Sequence, residues 1–499
     1  MTLADVVLRG GRTLDPETGL DAVCDVAVTG DQITAVVPGG DVTLQGRYEL
    51  DATGRVVAPG FIDLHSHCRD FPSRALQVCD GVTTALELEE GEIDLEQSLA
   101  AMAQDGSPNH YGFSASWGIA RMQACGLDVR GVDDPFMEYI SRDDWHRVLT
   151  ASEQSAMLDH LGQELRAGAI GVGVLLGYCQ EASAGEYLAV ADLAAKTESA
   201  TFTHVRELSR GDSGYFGAAE VVSAALATGA HMHICHVNST SLRNIDRVNE
   251  LVARGRAQGL RVTVEAYPYG AGCTGIGAAF LAPEALVHEG LEPSDIRYLP
   301  TGERVASVER LRELRAVDPA GLVVVDFLRE TSPDDLGFLT RAFVTADTAV
   351  ASDAMPLVSP HPGSARPDTV SADGPWPVPP GTLTHPRTAG TFSRVLRWYV
   401  RELGLVDLAE AVRRATLVPA EILRDVAPGM RRKGRVQEGT DADLVVFDPD
   451  EVTDRATYAE PTVTSAGIDF VMVAGELVVR DGQLQSTVRP GRPVRGRGA

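Results

Sequence analysis

Eight short apolar runs, with helix-patterned stretches between most of them, lie between residues 56 and 352 and constrain the fold of this chain more than any other feature. They are residues 56–64, 83–88, 111–116, 169–175, 200–204, 231–236, 262–267 and 348–352. Runs of this length bounded by turn residues predict strands, and strands alternating with helices predict βα units around a parallel sheet. Residues 183–199 and 217–228 place apolar side chains three and four apart, and Ser183-Ala184-Gly185-Glu186 fits a capping box. Eight such units predict an α/β protein built on a (β/α)8 barrel of the TIM type. The interval from Pro268 to Thr348 is too long for one crossover, so an insertion is expected near residues 275–339. The Pro/Gly/Ser-rich stretch 356–386 reads as a long loop at the barrel mouth. Both ends have a different texture: residues 1–55 and the last 70 or so read as short strands and tight turns. The tail 487–499, with four arginines and two prolines, is expected to be disordered.

Charge narrows the partners. With 70 acidic against 44 basic residues the formal net charge is -26, which repels phosphate backbones and anionic lipid. Neither nucleic-acid nor membrane binding is expected, and a small-molecule substrate is. No 18-residue apolar run occurs and residues 1–10 lack an apolar signal core, so a soluble, cytoplasmic protein is expected. Seven cysteines at irregular positions, with no Cys-x-x-Cys, predict mostly buried thiols rather than a disulfide framework.

The chemistry-bearing residues gather at predicted strand ends. His65-Ser66-His67 closes the first run, and histidines two apart on a strand point to one face, where both can approach one ion. His204, His236 and Asp353 close three further runs, so five candidate ligands fall at the end of the barrel where active sites of this fold are built. His231 and His233 begin their strand and are read as structural residues near the barrel bottom. His110, His146, His160 and His288 read as ordinary polar residues, and His361 and His385 in the mouth loop stay open. Two adjacent metal ions need a bridging anion. The chain has only two lysines, Lys196 in a predicted helix and Lys433 in the C-terminal β-rich segment, which excludes a carboxylated-lysine bridge. The second run continues as Glu87-Leu88-Glu89-Glu90-Gly91-Glu92. Strand alternation predicts Leu86 and Leu88 against outer helices and Glu87 and Glu89 inside, with Glu89 at mouth height. An inward carboxylate calls for a cation.

With these residues placed, the chain resembles the amidohydrolase superfamily, in particular its N-acyl-D-amino-acid deacylase branch. The resemblance rests on residues 59–67 (Pro-Gly-Phe-Ile-Asp-Leu-His-Ser-His), Gly81-Val82-Thr83-Thr84, and Gly168-Ala169-Ile170-Gly171 with Tyr178. It continues through Thr203-His204-Val205-Arg206, Tyr267-Pro268-Tyr269, Ser352-Asp353, His385-Pro386-Arg387 and residues 441–447 (Asp-Ala-Asp-Leu-Val-Val-Phe). It implies a small β-sandwich domain built from residues 1–55 and 427–499 around a barrel of residues 56–426. It further implies one zinc held by His204 and His236, a second position surrounded by His65, His67 and Asp353, and a substrate carboxylate bound by Arg387 with Tyr269 and Tyr178 nearby. Two departures stand out. The branch carries a bridging cysteine where this chain is acidic; a gapless count lands on Glu90, whereas alternation favours Glu89. The branch also carries a lysine where this chain has Asn238. The implied activity is hydrolysis of a linear amide, an N-acyl-D-amino acid, by water activated on one or two zinc ions with Asp353 as general acid/base. Cyclic amidase, sugar N-deacetylase and deaminase chemistry are the alternatives within the superfamily, and the intact ligand set argues against a non-catalytic barrel. A homo-oligomer is compatible with the resemblance.

Overall fold

The computed structural model describes residues 3–40, 44–132, 134–206, 213–359, 368–369 and 374–498. Eight parallel strands follow one another around a barrel: Phe61–Asp63, Val82–Glu92, His110–Ser116, Gly171–Leu175, Ala200–His204, His231–Ile234, Val262–Ala266 and Thr348–Val350. At the rim the last connects back to the first through a Ser66–Ala354 bridge and a hydrogen bond from His67 N to Ala354 O of 2.8 Å. Closure turns alternate side chains inward. Phe202 shares a strand face with His204, and its cluster with Ile62, Leu64, Leu86, Leu88 and Ile170 fills the interior below the mouth.

The run 56–64 is two strands rather than one. Val56–Pro59 pairs antiparallel with Leu444–Phe447, and only Phe61–Asp63 belongs to the barrel. The break falls at Gly60, where a Cβ would lie 2.1 Å from the Thr83 side chain, so only glycine lets the strands approach. Val56–Pro59 thereby joins a nine-stranded sheet whose other strands come from residues 4–51 and 444–484, both ends of the chain. The molecule is therefore a (β/α)8 barrel carrying a β-sandwich unit.

Two expectations change. The excursion after the seventh barrel strand is a four-stranded antiparallel sheet of Ala271–Gly275, Leu322–Asp326, Ile296–Tyr298 and Glu303–Arg304, so it starts before residue 275. Helix Pro333–Val344, whose first half falls within the expected insertion, packs on barrel strand Thr348–Val350. The tail is ordered, not disordered: Gly491 N, Val494 N and Gly496 N donate to Ser107 O, Tyr111 O and Gly168 O at 2.9, 2.6 and 2.8 Å. Val494 plugs the interior cluster, and the arginines that suggested disorder find acidic partners, Arg492 with Asp31 and Arg495 with Glu96. Six cysteines are buried, Cys125 is half-buried, and all seven are unpaired. Among the described residues no helix is long and apolar enough to cross a membrane. His361 and most of the mouth-loop stretch between residues 360 and 373 lie outside the described residues.

Candidate metal centre

His65 and His67 follow the first strand with their Nε2 atoms 3.2 Å apart. His204 ends the fifth strand and His236 follows the sixth. Glu89 stands between the pairs: Oε1 lies 2.7 Å from His236 Nε2 and 3.2 Å from His204 Nδ1, while Oε2 lies 3.3 Å from His65 Nε2 and 4.0 Å from His67 Nε2. Asp353 Oδ1 completes the ring at 3.6 Å from His65 Nε2 and 3.5 Å from His67 Nε2. The six residues named from sequence thus meet at one rim of the barrel, with a carboxylate oxygen turned to each histidine pair.

Glu89 reaches this position by a route other than alternation. Leu86 and Leu88, expected against outer helices, lie in the interior cluster with Phe202, so Glu89 is out of phase on a regular strand. Pairing with the third strand jumps from Glu87–Phe113 to Glu92–Ala115, and the surplus residues form a bulge that turns Glu89 to the mouth. Gly91 makes the bulge possible: its φ is +76°, and a Cβ there would lie 2.6 Å from Ser114 Oγ and 2.8 Å from Ser114 O. Glu90 pairs with Arg69 and stays 3.9 Å from His67 Nδ1, while Glu87 Oε2 lies 2.6 Å from His67 Nδ1.

The electrostatics ask for positive charge. Burial pushes the Glu89 carboxyl up, but His65, His236 and His204 outweigh it and hold it well below the carboxylate range. Burial works to lower His67, yet Glu87 and Asp353 push it up to about 10. Glu89 Oε1 is buried and makes no hydrogen bond. Triads within this cluster (Glu89, His204 and His236; His65, His67 and Glu89; His65, His236 and Asp353) each have donor atoms within 4.8 Å of one another. Imidazole and carboxylate donors at these separations fit a divalent ion such as zinc.

Substrate-side expectations fare differently. Arg387 is fully buried and off the wall of the adjoining cavity; its Nη2 lies 2.8 Å from Asp353 Oδ1 and its Nε donates to Asp353 O. Tyr269 is also off the wall, donating to Gly390 O, whereas Tyr267 and Tyr178 are on it. Asn238 is buried between the main-chain groups of Tyr267 and Tyr269 and does not line the cavity. His385 is buried and accepts from Arg387 N. Sequence reading missed Tyr267, although its neighbourhood was read, because its register was not fixed. The cavity, about 580 Å³, is lined by apolar Phe136, Leu175, Tyr178 and Phe280 and by the carboxylates Asp70, Glu90, Asp134, Glu138 and Asp318, with Arg69 the one guanidinium among its described lining residues.

A model of the amidohydrolase family matches residues 117–479. The chain belongs to that family. Among curated proteins, N-acyl-D-glutamate deacylase of Alcaligenes xylosoxydans xylosoxydans is 29% identical over 98% of this chain and 96% of its own length. The D-aminoacylase of the same organism is 28% identical over 94% and 93%. Among solved structures, N-acyl-D-glutamate deacylase from Bordetella bronchiseptica, complexed with zinc and a phosphonate mimic of the tetrahedral intermediate, superposes with a TM-score of 0.73 at 26% identity, covering 99% of this chain and 100% of that one. This amidohydrolase therefore shares fold and chain organisation with the N-acyl-D-amino-acid deacylases.

Proposed function

We propose that the protein is a zinc-dependent deacylase of N-acyl-D-amino acids. The observation that carries the reading is the convergence of His65, His67, Glu89, His204, His236 and Asp353 beside a cavity of substrate size. Glu89, His204 and His236 would hold one zinc, and His65, His67 and Asp353 would surround a second position across Glu89. Zinc bound there lowers the pKa of a coordinated water to about 7 and polarises an amide carbonyl. Asp353 supplies the proton transfer: Arg387 engages Oδ1 and leaves Oδ2 to take a proton from the attacking water and return it to the leaving amine nitrogen. Burial raises the Asp353 carboxyl, but Arg387 and His65 lower it further, so it starts ionised, as a base must. Arg387 serves as the residue that aims Asp353 rather than as the clamp for the substrate carboxylate. Phe136, Leu175 and Phe280 exclude water from the substrate's apolar part.

The cavity also selects. Its carboxylates outnumber its one arginine, so neutral side chains are favoured over acidic ones. Like charges brought together in a cavity cost enough to lower turnover about tenfold or more. The test is amine release from a panel of N-acetyl D- and L-amino acids by the zinc-loaded protein. Turnover of D-methionine or D-leucine derivatives, with D-glutamate at least about tenfold poorer, supports the reading. Zinc bound with no amine released from any member rules it out.

A further inference from the structure

Below the ligand cluster a line of polar side chains, buried at Glu265, His233 and His231, runs down the barrel interior. Glu265, on the seventh strand, is fully buried and turns one oxygen to each of two imidazoles: Oε1 is 2.6 Å from His65 Nδ1 and Oε2 is 3.1 Å from His233 Nε2. His233 Nδ1 lies 2.9 Å from Thr263 Oγ1, which lies 3.0 Å from His231 Nε2. His231 Nδ1 faces Arg261 Nη2 at 3.5 Å, and Arg261, half-exposed, reaches Asp425 at 3.3 Å. His231 and His233 are the two histidines that strand position alone marks as structural.

With neutral rings, only one set of proton positions satisfies every contact in this line. Arg261 can only donate, so His231 accepts at Nδ1 and donates from Nε2 to Thr263 Oγ1. The Thr263 hydroxyl then donates to His233 Nδ1, and His233 Nε2–H donates to Glu265 Oε2. Glu265 Oε1 accepts from His65 Nδ1–H and from His236 N at 3.4 Å. Burial and the neighbouring Arg261 hold His231 down to about 3, in keeping with its neutral form. The same assignment leaves His65 Nε2 without a proton and facing Glu89 and Asp353. A metal-ligating imidazole is commonly fixed by a carboxylate on its other nitrogen, and losing that carboxylate weakens metal binding.

We infer that Glu265 is a positioning residue of the metal centre: its carboxylate, anchored through His233, Thr263, His231 and Arg261, fixes the His65 ring with Nε2 bare toward the metal. The inference rests on the reading of His65 as a ligand. Glutamine is the informative replacement, because its amide offers one acceptor oxygen and must set an NH2 against either His65 Nδ1–H or His233 Nε2–H.

The test is zinc affinity of the full-length protein, measured by competition with a chromophoric chelator, together with the unfolding midpoint of the metal-free protein. Glu265→Gln is expected to weaken zinc binding about 10- to 100-fold in a metal-free protein that still unfolds cooperatively, at a somewhat lower midpoint because a buried imidazole N–H loses its acceptor. Parent-like affinity in Glu265→Gln, in a parent whose zinc binding is weakened by His67→Ala, overturns the positioning role and leaves the metal centre standing. A parent that binds no zinc overturns both. Should Glu265→Gln not fold, Thr263→Val carries the test, since it removes the link between the histidines at nearly constant volume. Several-fold weaker binding then supports the role, and parent-like binding overturns it.

Discussion

Asp353 and His236 both hold backbone of positive φ, +51° and +29°, a conformation that costs a non-glycine residue of order 1–3 kcal/mol. Each sits where its strand ends, so the chain turns there and the side chain swings to the cavity wall. Asparagine tolerates the left-handed region and can still present an oxygen to Arg387, so Asp353→Asn tests the proton transfer with the Glu89, His204 and His236 position left intact. Turnover should fall roughly 10²- to 10⁴-fold with the zinc of the Glu89, His204 and His236 position retained, as read by steady-state kinetics beside metal analysis. Parent-like turnover would remove Asp353 from the proton path. Arg387 shows where residue-level reading from sequence stops. The resemblance named the residue but not its pairing with an aspartate 34 positions away, which no local pattern encodes.

The second barrel strand is the element on which the site turns. Its bulge brings Glu89 between the histidine pairs, and Gly91 permits the bulge. Alanine at position 91 would have to accept left-handed backbone and a contact with Ser114 that real Cβ atoms do not make, at about 1–3 kcal/mol. Gly91→Ala should therefore both destabilise the protein in urea and weaken zinc binding; a variant matching the parent in both would show that Glu89 is placed by something else. Most of the site was legible because histidines and an aspartate at strand ends need only element boundaries to be right. Glu89 was named by alternation, yet alternation fails there: Leu86 and Leu88 occupy the interior, and a bulge corrects the phase. Bulges depend on what the neighbouring strand leaves room for, here Ser114, and leave little trace beyond a glycine. The tail misled for a related reason. Arginine and proline content suggested disorder, while its order comes from main-chain bonds to the barrel and from the acid-rich surface that the net charge advertised.

At the scale of the molecule, barrel and sandwich are joined by a buried polar cluster. Asp443 leads into a sandwich strand and lies 2.5 Å from Lys433 Nζ and 3.0 Å from His110 Nε2 on the third barrel strand. Burial pushes the Asp443 carboxyl up, but His110 and Lys433 outweigh it and hold it well below the carboxylate range. A folded-state pKa below the unfolded value of about 3.9 adds stability that is present at neutral pH and lost progressively as pH falls from that value towards the lower folded one. Asp443→Asn should cost about 1.5–3 kcal/mol at pH 7, since it removes one of the two carboxylates, Asp441 being the other, that pair with the buried Lys433. The gap from the parent in denaturant unfolding should narrow below about pH 4; a gap independent of pH would contradict the account. The joint matters because it anchors the start of the third barrel strand, the strand whose Phe113 and Ala115 pair on either side of the bulge. The central claim is that side chains from five strands close on a divalent cation at one barrel rim. Anomalous diffraction from crystals grown with zinc tests it most directly. The account predicts a peak about 2.0–2.2 Å from Glu89 and from ring nitrogens of His204 and His236, and zinc located away from Glu89 or absent from this rim would contradict it.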